Sequence, residues 1–458
     1  MKALMNSWRS DKLKTAMTVS WLLTVFFCFF GGAILRVEIP GFCTMYPFRF
    51  LLPVTTLLYL LRVARERRNP WKCASFAQKT SCVLCVILAI YSTLSLRAAI
   101  DFGFSFSLWV TLGFDLIFFY LAMELCADRE IFDYTTKCAL AGLVIQIILG
   151  FYEVFKGGVF SSKFDWIFRF WGRQFHSPAV AAGNPNDFSM NLIFIWAILM
   201  LHWIWRGHKE KFSWIPVALT PLIYFLLGAA YARLCEISFW ILLVVFALRL
   251  IVKRGSGLRV LIVAIASLAI VIGLLYYEPD NVQKMLAPQE TTVQTAAPAA
   301  VSAPAAAHIM SGETQFEREQ SDGIRVQLLL HAADCFVSSK GMGVGLGNTA
   351  QLAKIAAKTG EIWAIHCFIA RMAADFGIWF LIPLLLIAFN LLKIGAGYTL
   401  SGIKKRNWTA VANGLLYATV VIIYPIASTA AGDAQNSLPM WLFLGYIVAF
   451  PAYLREIE

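Results

Sequence analysis

The sequence predicts an all-α polytopic membrane protein, on three observations: an apolar composition, repeated apolar runs of bilayer-crossing length, and basic residues gathered in alternate loops. Hydrophobic residues fill 59% of the 458 positions and charged ones 14%, far from the usage of a soluble domain. A helix crosses the hydrocarbon core with roughly 20 apolar residues, and runs of that order recur from Thr15 to Tyr453. They give about twelve spans, at 15–35, 43–61, 80–97, 102–126, 138–156, 185–205, 213–231, 234–252, 260–277, 363–392, 409–427 and 439–454.

The first run is longer than the apolar region of a signal peptide and has no small-residue cleavage pattern before Arg36, so it is expected to stay as a span. With the N-terminus in the cytoplasm, the inner loops carry Lys2, Arg9, Lys12 and Lys14, then Arg62, Arg65, Arg67, Arg68 and Lys72. Further inner loops carry Arg206, Lys209 and Lys211, then Lys253, Arg254 and Arg259, then Lys393, Lys404, Lys405 and Arg406. The short outer connections hold only Arg36, Arg97 and Arg233. This asymmetry satisfies the positive-inside rule and predicts an inner (plasma) membrane protein with both termini cytoplasmic. The net charge of +12 is therefore explained by orientation, and no nucleic-acid partner is expected.

Ten cysteines are present, but Cys28, Cys82, Cys85, Cys126, Cys138 and Cys235 lie within apolar runs, where a thiol behaves as a small hydrophobe. Only Cys335 clearly falls in the large outer segment, so no disulfide framework is expected.

Residues 1–277 thus hold nine spans and an outer loop at 157–183, residues 278–362 form a large outer loop, and residues 363–458 hold the last three spans. The 157–183 loop is aromatic and basic, with Trp166, Arg169, Trp171 and Arg173. It reads as an interfacial belt, and Arg169 and Arg173 are also possible substrate-binding residues. In the second loop, the Ala/Pro/Thr tract 287–307 cannot build a core and reads as a flexible insert. From Gln315 onward Ile324, Leu328, Ala332 and Cys335 or Phe336 recur at helical spacing, which puts Arg325 on an early turn of an amphipathic helix. That helix ends at Gly341-Met342-Gly343-Val344-Gly345-Leu346-Gly347-Asn348. A phosphate loop would need a preceding strand and a following Lys-Ser or Lys-Thr, so a tight turn back toward the membrane is the expectation.

Ionisable residues at membrane depth need a partner or a cavity. Arg49, Asp115, Glu124, Glu153 and Arg371 qualify, and interhelical pairing, for example of Arg49 with Asp115, is the plain reading. A proton relay would call for regularly spaced carboxylates in one span, which no span has. The segment Gly183-Asn184-Pro185-Asn186-Asp187-Phe188 opens the sixth span. Pro and Asx are helix-start residues, and open amides there can also meet an anion, so Asn184, Asn186 and Asp187 are candidates for substrate binding.

Arg233, Arg325 and His366 all fall at the outer face. Singly, they have ordinary explanations in snorkelling and core hydrogen bonding. Together, two permanent cations and one titratable base suit the holding of a diphosphate and the deprotonation of a hydroxyl.

The order of these elements resembles the O-antigen ligase and polymerase superfamily of bacterial envelope glycan enzymes. The likeness covers roughly Gly183 to Phe380: GNPNDF opening a span, the arginine of the tight turn YARLCE, SDGIRVQLLLHAADCF followed by GMGVGLGN, and then His366. His366 is followed by Cys367, nine residues, and Gly377-Ile378-Trp379-Phe380, which nearly meets the ligase pattern. Cys367 stands where an amide or Ser is usual, Phe380 where Gly, Thr or Tyr is usual, and Ala232 where Ser commonly precedes the arginine.

The resemblance implies a membrane-embedded, type C-like glycosyltransferase working at the periplasmic face, inverting and independent of metal or other cofactors. Its donor would be an undecaprenyl-diphosphate-linked glycan. Arg233 and Arg325 would bind the donor diphosphate, and His366 would be the general base. The outer loops carry no Asp-x-Asp pair, in keeping with that implication. The ligase reading, with lipid A core as acceptor, rests on the His366 pattern, and a polymerase reading, with a growing glycan as acceptor, is kept open by the basic aromatic loop. A secondary transporter or flippase is the rival of another class, although no internal repeat relates the two halves. A non-catalytic scaffold of an envelope assembly machine would tolerate loss of His366.

Overall fold

The computed structural model describes residues 11–39, 43–67, 69–157, 167–170, 173–206, 215–252, 315–357, 365, 367–430 and 437–457. Helix dominates. In chain order come α1 (Lys12–Cys28), the antiparallel strands β1 (Val37–Ile39) and β2 (Cys43–Met45), α2 (Pro47–Glu66), α3 (Phe76–Ser95), α4 (Phe102–Leu125) and α5 (Arg129–Lys156). A second hairpin, β3 (Ile167–Phe170) with β4 (Arg173–His176), precedes α6 (Pro185–Arg206), α7 (Ile215–Ala229) and α8 (Arg233–Val252). Then follow α9 (Gln315–Ser338), α10 (Asn348–Ala357), α11 (Phe368–Phe376), α12 (Ile378–Lys404), α13 (Trp408–Ala430) and α14 (Leu438–Ile457).

Helix starts follow local chemistry. The Asp11 carboxylate accepts the amides of Leu13 and Lys14, Ser75 and Gln78 form a reciprocal capping box, Pro47 opens α2, and Asp101 accepts the Phe104 amide. Asp128 caps α5 by accepting from Glu130 and Ile131, so that helix begins nine residues before the predicted span at 138. The predicted span 363–392 is broken at Gly377, whose φ is +66°, into the short α11 and the longer α12. The predicted span 260–277 and the 287–307 tract lie outside the described residues.

Among the described residues, α2, α3, α4, α5, α12 and α13 are the six helices long and apolar enough to cross a membrane. They present apolar stripes outward: Phe50, Val54, Leu57 and Leu61 on α2, and Ile378, Ile382, Leu385 and Phe389 on α12 are all exposed. Spacing of three and four residues puts each set on one face, and exposed apolar faces on such helices are what lipid covers. The chain is a multi-pass, all-α membrane protein.

The interior is aromatic, with Trp21, Phe118, Phe132 and Trp196 fully buried. Phe132 stacks on Tyr446 and Tyr453 at 4.2 and 4.0 Å between centroids, joining α5 to α14. α12 and α13 approach closely because Gly395 and Gly414 face each other: a Cβ on Gly414 would lie 2.6 Å from the Gly395 carbonyl.

Because the spans alternate in direction, the bundle has two ends. The terminal end holds Lys14, whose ammonium pairs with Asp128 at 3.3 Å and Glu130 at 3.1 Å. The opposite end, the site end, gathers residues 29–39, 43–46, 96–101, 177–184, 229–233, 341–347, 365 and 367–377. Contacts tie these segments together, including Ser177 Oγ to Ala229 O at 3.1 Å and Asn348 Nδ2 to Ala98 O at 3.0 Å.

Candidate active site at one end of the bundle

The glycine series is a structural knot. Gly341, Gly343, Gly345 and Gly347 all have positive φ, and the amides between them are occupied. Val344 N–H donates to Ala374 O and Gly345 N–H to Asp375 O, both at 2.9 Å. Leu346 N–H donates to Ser95 Oγ at 3.2 Å and Gly347 N–H to Asp375 Oδ2 at 3.1 Å. No row of open amides is left to cradle a phosphate. The tight turn expected from the sequence is present, and it anchors α9, α10 and α11 to the end of α3.

Asp375 holds this knot from within. Fully buried, it accepts the Thr349 hydroxyl at 2.6 Å and the Thr349 amide at 3.2 Å besides Gly347. α11 lies across the site end, because its two ends are tied to different spans. At one end Tyr91 of α3 packs against Phe376 with its ring tilted, centroids 5.5 Å apart, and donates its hydroxyl to Met342 O at 2.8 Å. At the other, Thr429 of α13 donates to Cys367 Sγ at 3.5 Å.

His366 lies outside the described residues, but both of its neighbours are placed. Cys367 meets α13 as just described, and Ile365 is buried in a small cluster with Leu328, Ala332 and Cys335 of α9, Ala353 of α10 and Ala374 of α11. Arg325, partly exposed, is one turn before Leu328 on α9. Arg233 is exposed and is the first residue of α8, after Tyr231 at φ +54°. Two residues on, Cys235 Sγ contacts Ala427 O of α13 at 4.0 Å. The last turns of α13 are thus touched on one side by the start of α8 and on another by the residue after His366, while the helix carrying Arg325 packs on the residue before it.

A polar cavity of about 440 Å³ opens at the same end of the bundle, lined among others by Arg36, Tyr46, Arg49, Asp115, Asp187 and Asn191. That is within the range of about 300–1,000 Å³ usual for small-molecule sites. Arg49 is buried and donates to Thr44 O at 2.8 Å and Thr111 Oγ1 at 2.9 Å, with its guanidinium 5.0 Å from the Tyr46 ring centroid. Its partners thus include a carbonyl, a hydroxyl and two ring faces, the second being Phe114 at 5.3 Å. Its buried Nε–H has no acceptor among the described residues.

The GNPNDF segment forms one wall. Asn184 Oδ1 accepts the Asn186 amide at 2.8 Å and so caps α6. Asn186 and Asp187 are buried, and of the three only Asp187 lines the cavity. Asn191, one turn further on, accepts the Ser437 hydroxyl at 2.6 Å. Behind the wall, Glu153 accepts the amides of Ala179 and Val180 at 2.9 and 2.6 Å, so a carboxylate at membrane depth is used to shape backbone. α6, which carries Asp187 and Asn191, packs against α8. Arg169 and Arg173 sit on the β3–β4 hairpin, whose backbone register pairs Arg169 with Gln174 and Phe170 with Arg173.

Sequence reasoning missed Tyr46 and Asn191. Asn191 had a signal, since it stands four residues after Asp187 and hence on the same helix face. Tyr46 had none, because its contribution depends on the β1–β2 hairpin that precedes α2.

Fold and site together define a polytopic helical membrane protein with a polar, arginine-bearing site at one end of its bundle. No family model matches the chain. Along its length it is similar to the teichuronic acid biosynthesis protein TuaE of Bacillus subtilis (strain 168), at 20% identity over 453 residues, 98% of this chain and 86% of the relative.

Proposed function

We propose that this protein is a glycosyltransferase of the envelope, moving a glycan from undecaprenyl diphosphate to an acceptor hydroxyl at the periplasmic face. The observation that carries the reading is the meeting of the start of α8 and the residue after His366 at the last turns of α13, at the same end of the bundle as the polar cavity. The similarity to a protein of teichuronic acid biosynthesis supports the chemistry class.

In the proposed reaction the acceptor oxygen attacks the anomeric carbon from the face opposite the diphosphate. The bond from that carbon to the diphosphate oxygen breaks, and its electron pair leaves with the lipid diphosphate. His366, neutral beforehand, takes the acceptor proton. Arg233 and Arg325 bind the diphosphate and stabilise the charge it gains, which planar bidentate guanidinium groups do better than ammonium. The cavity at Arg49 and Asp187 takes sugar hydroxyls, with carboxylate and amide oxygens as acceptors, guanidinium as donor and the Tyr46 ring as an apolar wall. The leaving group carries its own activation, so the step draws on no nucleotide.

For the acceptor, the His366 pattern favours lipid A core and hence ligase activity. The relative, named for biosynthesis of a polysaccharide, favours a second reading, extension of a lipid-linked glycan. The test is complementation of a deletion strain with wild type, Arg233→Ala, Arg325→Ala and His366→Ala at matched membrane levels, followed by separate gels of lipid-linked and transferred glycan. Long glycan retained on the carrier lipid supports ligase activity, single repeat units on the carrier support polymerase activity, and wild-type behaviour of all three variants rejects the site.

A further inference from the structure

Helix α9 has one more face than a loop helix needs. Leu328, Ala332 and Cys335 bury one side against α11. Nearly opposite, Val326, Leu330 and Val337 are 55%, 60% and 72% exposed, with Ala333 exposed between them. The offsets of four, three and four residues are those of the outward stripe Ile378, Ile382, Leu385 and Phe389 on the membrane-crossing α12. Polar exposed residues of α9, namely Gln327, Asp334 and Ser338, keep to a separate flank.

The end of α9 is also low in the structure. Tyr91 stands four residues before the end of α3, about 6 Å inside it at 1.5 Å per residue, and its hydroxyl holds the carbonyls of Met342 and Gly343 at 2.8 and 3.0 Å. The Ile378 amide, at the start of α12, donates to Gly341 O at 2.8 Å. Met342, 46% exposed, thus lies between the end of α9 and the start of the lipid-facing α12. Since α11 lies across the bundle end and α9 packs along it from Ile365 to Ala374, α9 runs across the bundle end too.

We propose that α9 is an in-plane helix seated in the headgroup-to-acyl boundary of the bilayer, with Val326, Leu330 and Val337 against lipid and Gln327, Asp334 and Ser338 toward water. Arg325 lies on the flank opposite the polar one, at helical positions shared with Leu329 and Phe336, so in this orientation its stem runs along the acyl side and its guanidinium snorkels to the phosphate level. The placement stands without the catalytic reading. The consequence for a lipid-linked diphosphate, which would reach Arg325 sideways from the bilayer, rests on that reading.

The experiment attaches an environment-sensitive fluorophore to Leu330→Cys, Val337→Cys and Asp334→Cys in the full-length protein, reconstituted in phosphatidylethanolamine–phosphatidylglycerol vesicles. The unmodified chain, labelled in parallel, gives the background from native thiols. Lipid carrying a nitroxide near the headgroup end of its acyl chain should quench positions 330 and 337 several-fold more than 334, and aqueous iodide should quench 334 several-fold more than the other two. Iodide quenching of 330 and 337 equal to that of 334 overturns the proposal, and so does failure of both quenchers to reach them, which would mean that protein covers the stripe. No catalysis is read, so this result is independent of the glycosyl-transfer test.

Discussion

The Thr349 hydroxyl donates to the Asp375 carboxylate at 2.6 Å, and this one bond links the start of α10 to the short helix that follows His366. Asp375 is fully buried and also accepts the amides of Gly347 and Thr349. Replacing it by alanine leaves three donors without an acceptor at about 1–3 kcal/mol each. Asp375→Ala is expected to destabilise the protein by about 3 kcal/mol or more, and Asp375→Asn, which keeps one acceptor oxygen, by clearly less. Thermal unfolding in detergent reads both.

Backbone conformation gives a sharper contrast. A Cβ on Gly343, at φ +87°, would lie 2.5 Å from the Asp375 carbonyl, and one on Gly377 would strike the Gly341 carbonyl. Gly397 on α12 has nothing within 4 Å. Gly343→Ala and Gly377→Ala are expected to lower the unfolding temperature and the yield of folded protein, each by more than about 1 kcal/mol of stability. Gly397→Ala should be neutral or stabilise by roughly 0.5–1 kcal/mol, since alanine favours helix. Size-exclusion profiles and melting curves of the three variants check this.

These glycines also show what was legible in the sequence. The series from Gly341 to Gly347 reads as a turn because alternating glycines suit positive φ and the partners of a phosphate loop are missing. The break at Gly377 was hidden, since hydropathy across 363–392 is continuous and a single backbone angle does not register in it. The six spans were legible from length and apolarity, and the caps at Asp11, Ser75 and Asp128 could have sharpened their starts. The cavity was half legible: Asp187 stood out in GNPNDF, and Arg49 stood out as a cation at membrane depth, whereas its donation to Thr44 and Thr111 did not. That arrangement depends on a two-strand turn no pattern announced.

Glu153 is expected to act through backbone. Glu153→Ala removes the acceptor for the Ala179 and Val180 amides and should cost about 2 kcal/mol or more. It should also expose the 177–183 segment to added protease. Glu153→Gln keeps an oxygen that can accept both amides and should recover at least half of that stability, a rescue that distinguishes wall-building from charge.

Arg49→Lys keeps the charge but loses the planar fork that serves Thr44 and Thr111 together. Glycan transfer in reconstituted vesicles is expected to fall by at least about tenfold, or roughly 1.4 kcal/mol, while membrane insertion and the elution profile stay unchanged. Full activity in Arg49→Lys would remove the cavity from the proposed site.

Arg233 and Arg325 are proposed to act on one donor diphosphate, and a double-mutant cycle on purified, reconstituted protein tests this. The measurement is kcat/KM for a lipid-diphosphate-linked glycan with wild type, Arg233→Lys, Arg325→Lys and the double variant. Residues that act as a unit are strongly non-additive, so each single change is expected to cost about 10²–10³-fold and the double change to stay within about tenfold of the worse single one. Losses that multiply, or singles that match wild type, would contradict the shared diphosphate.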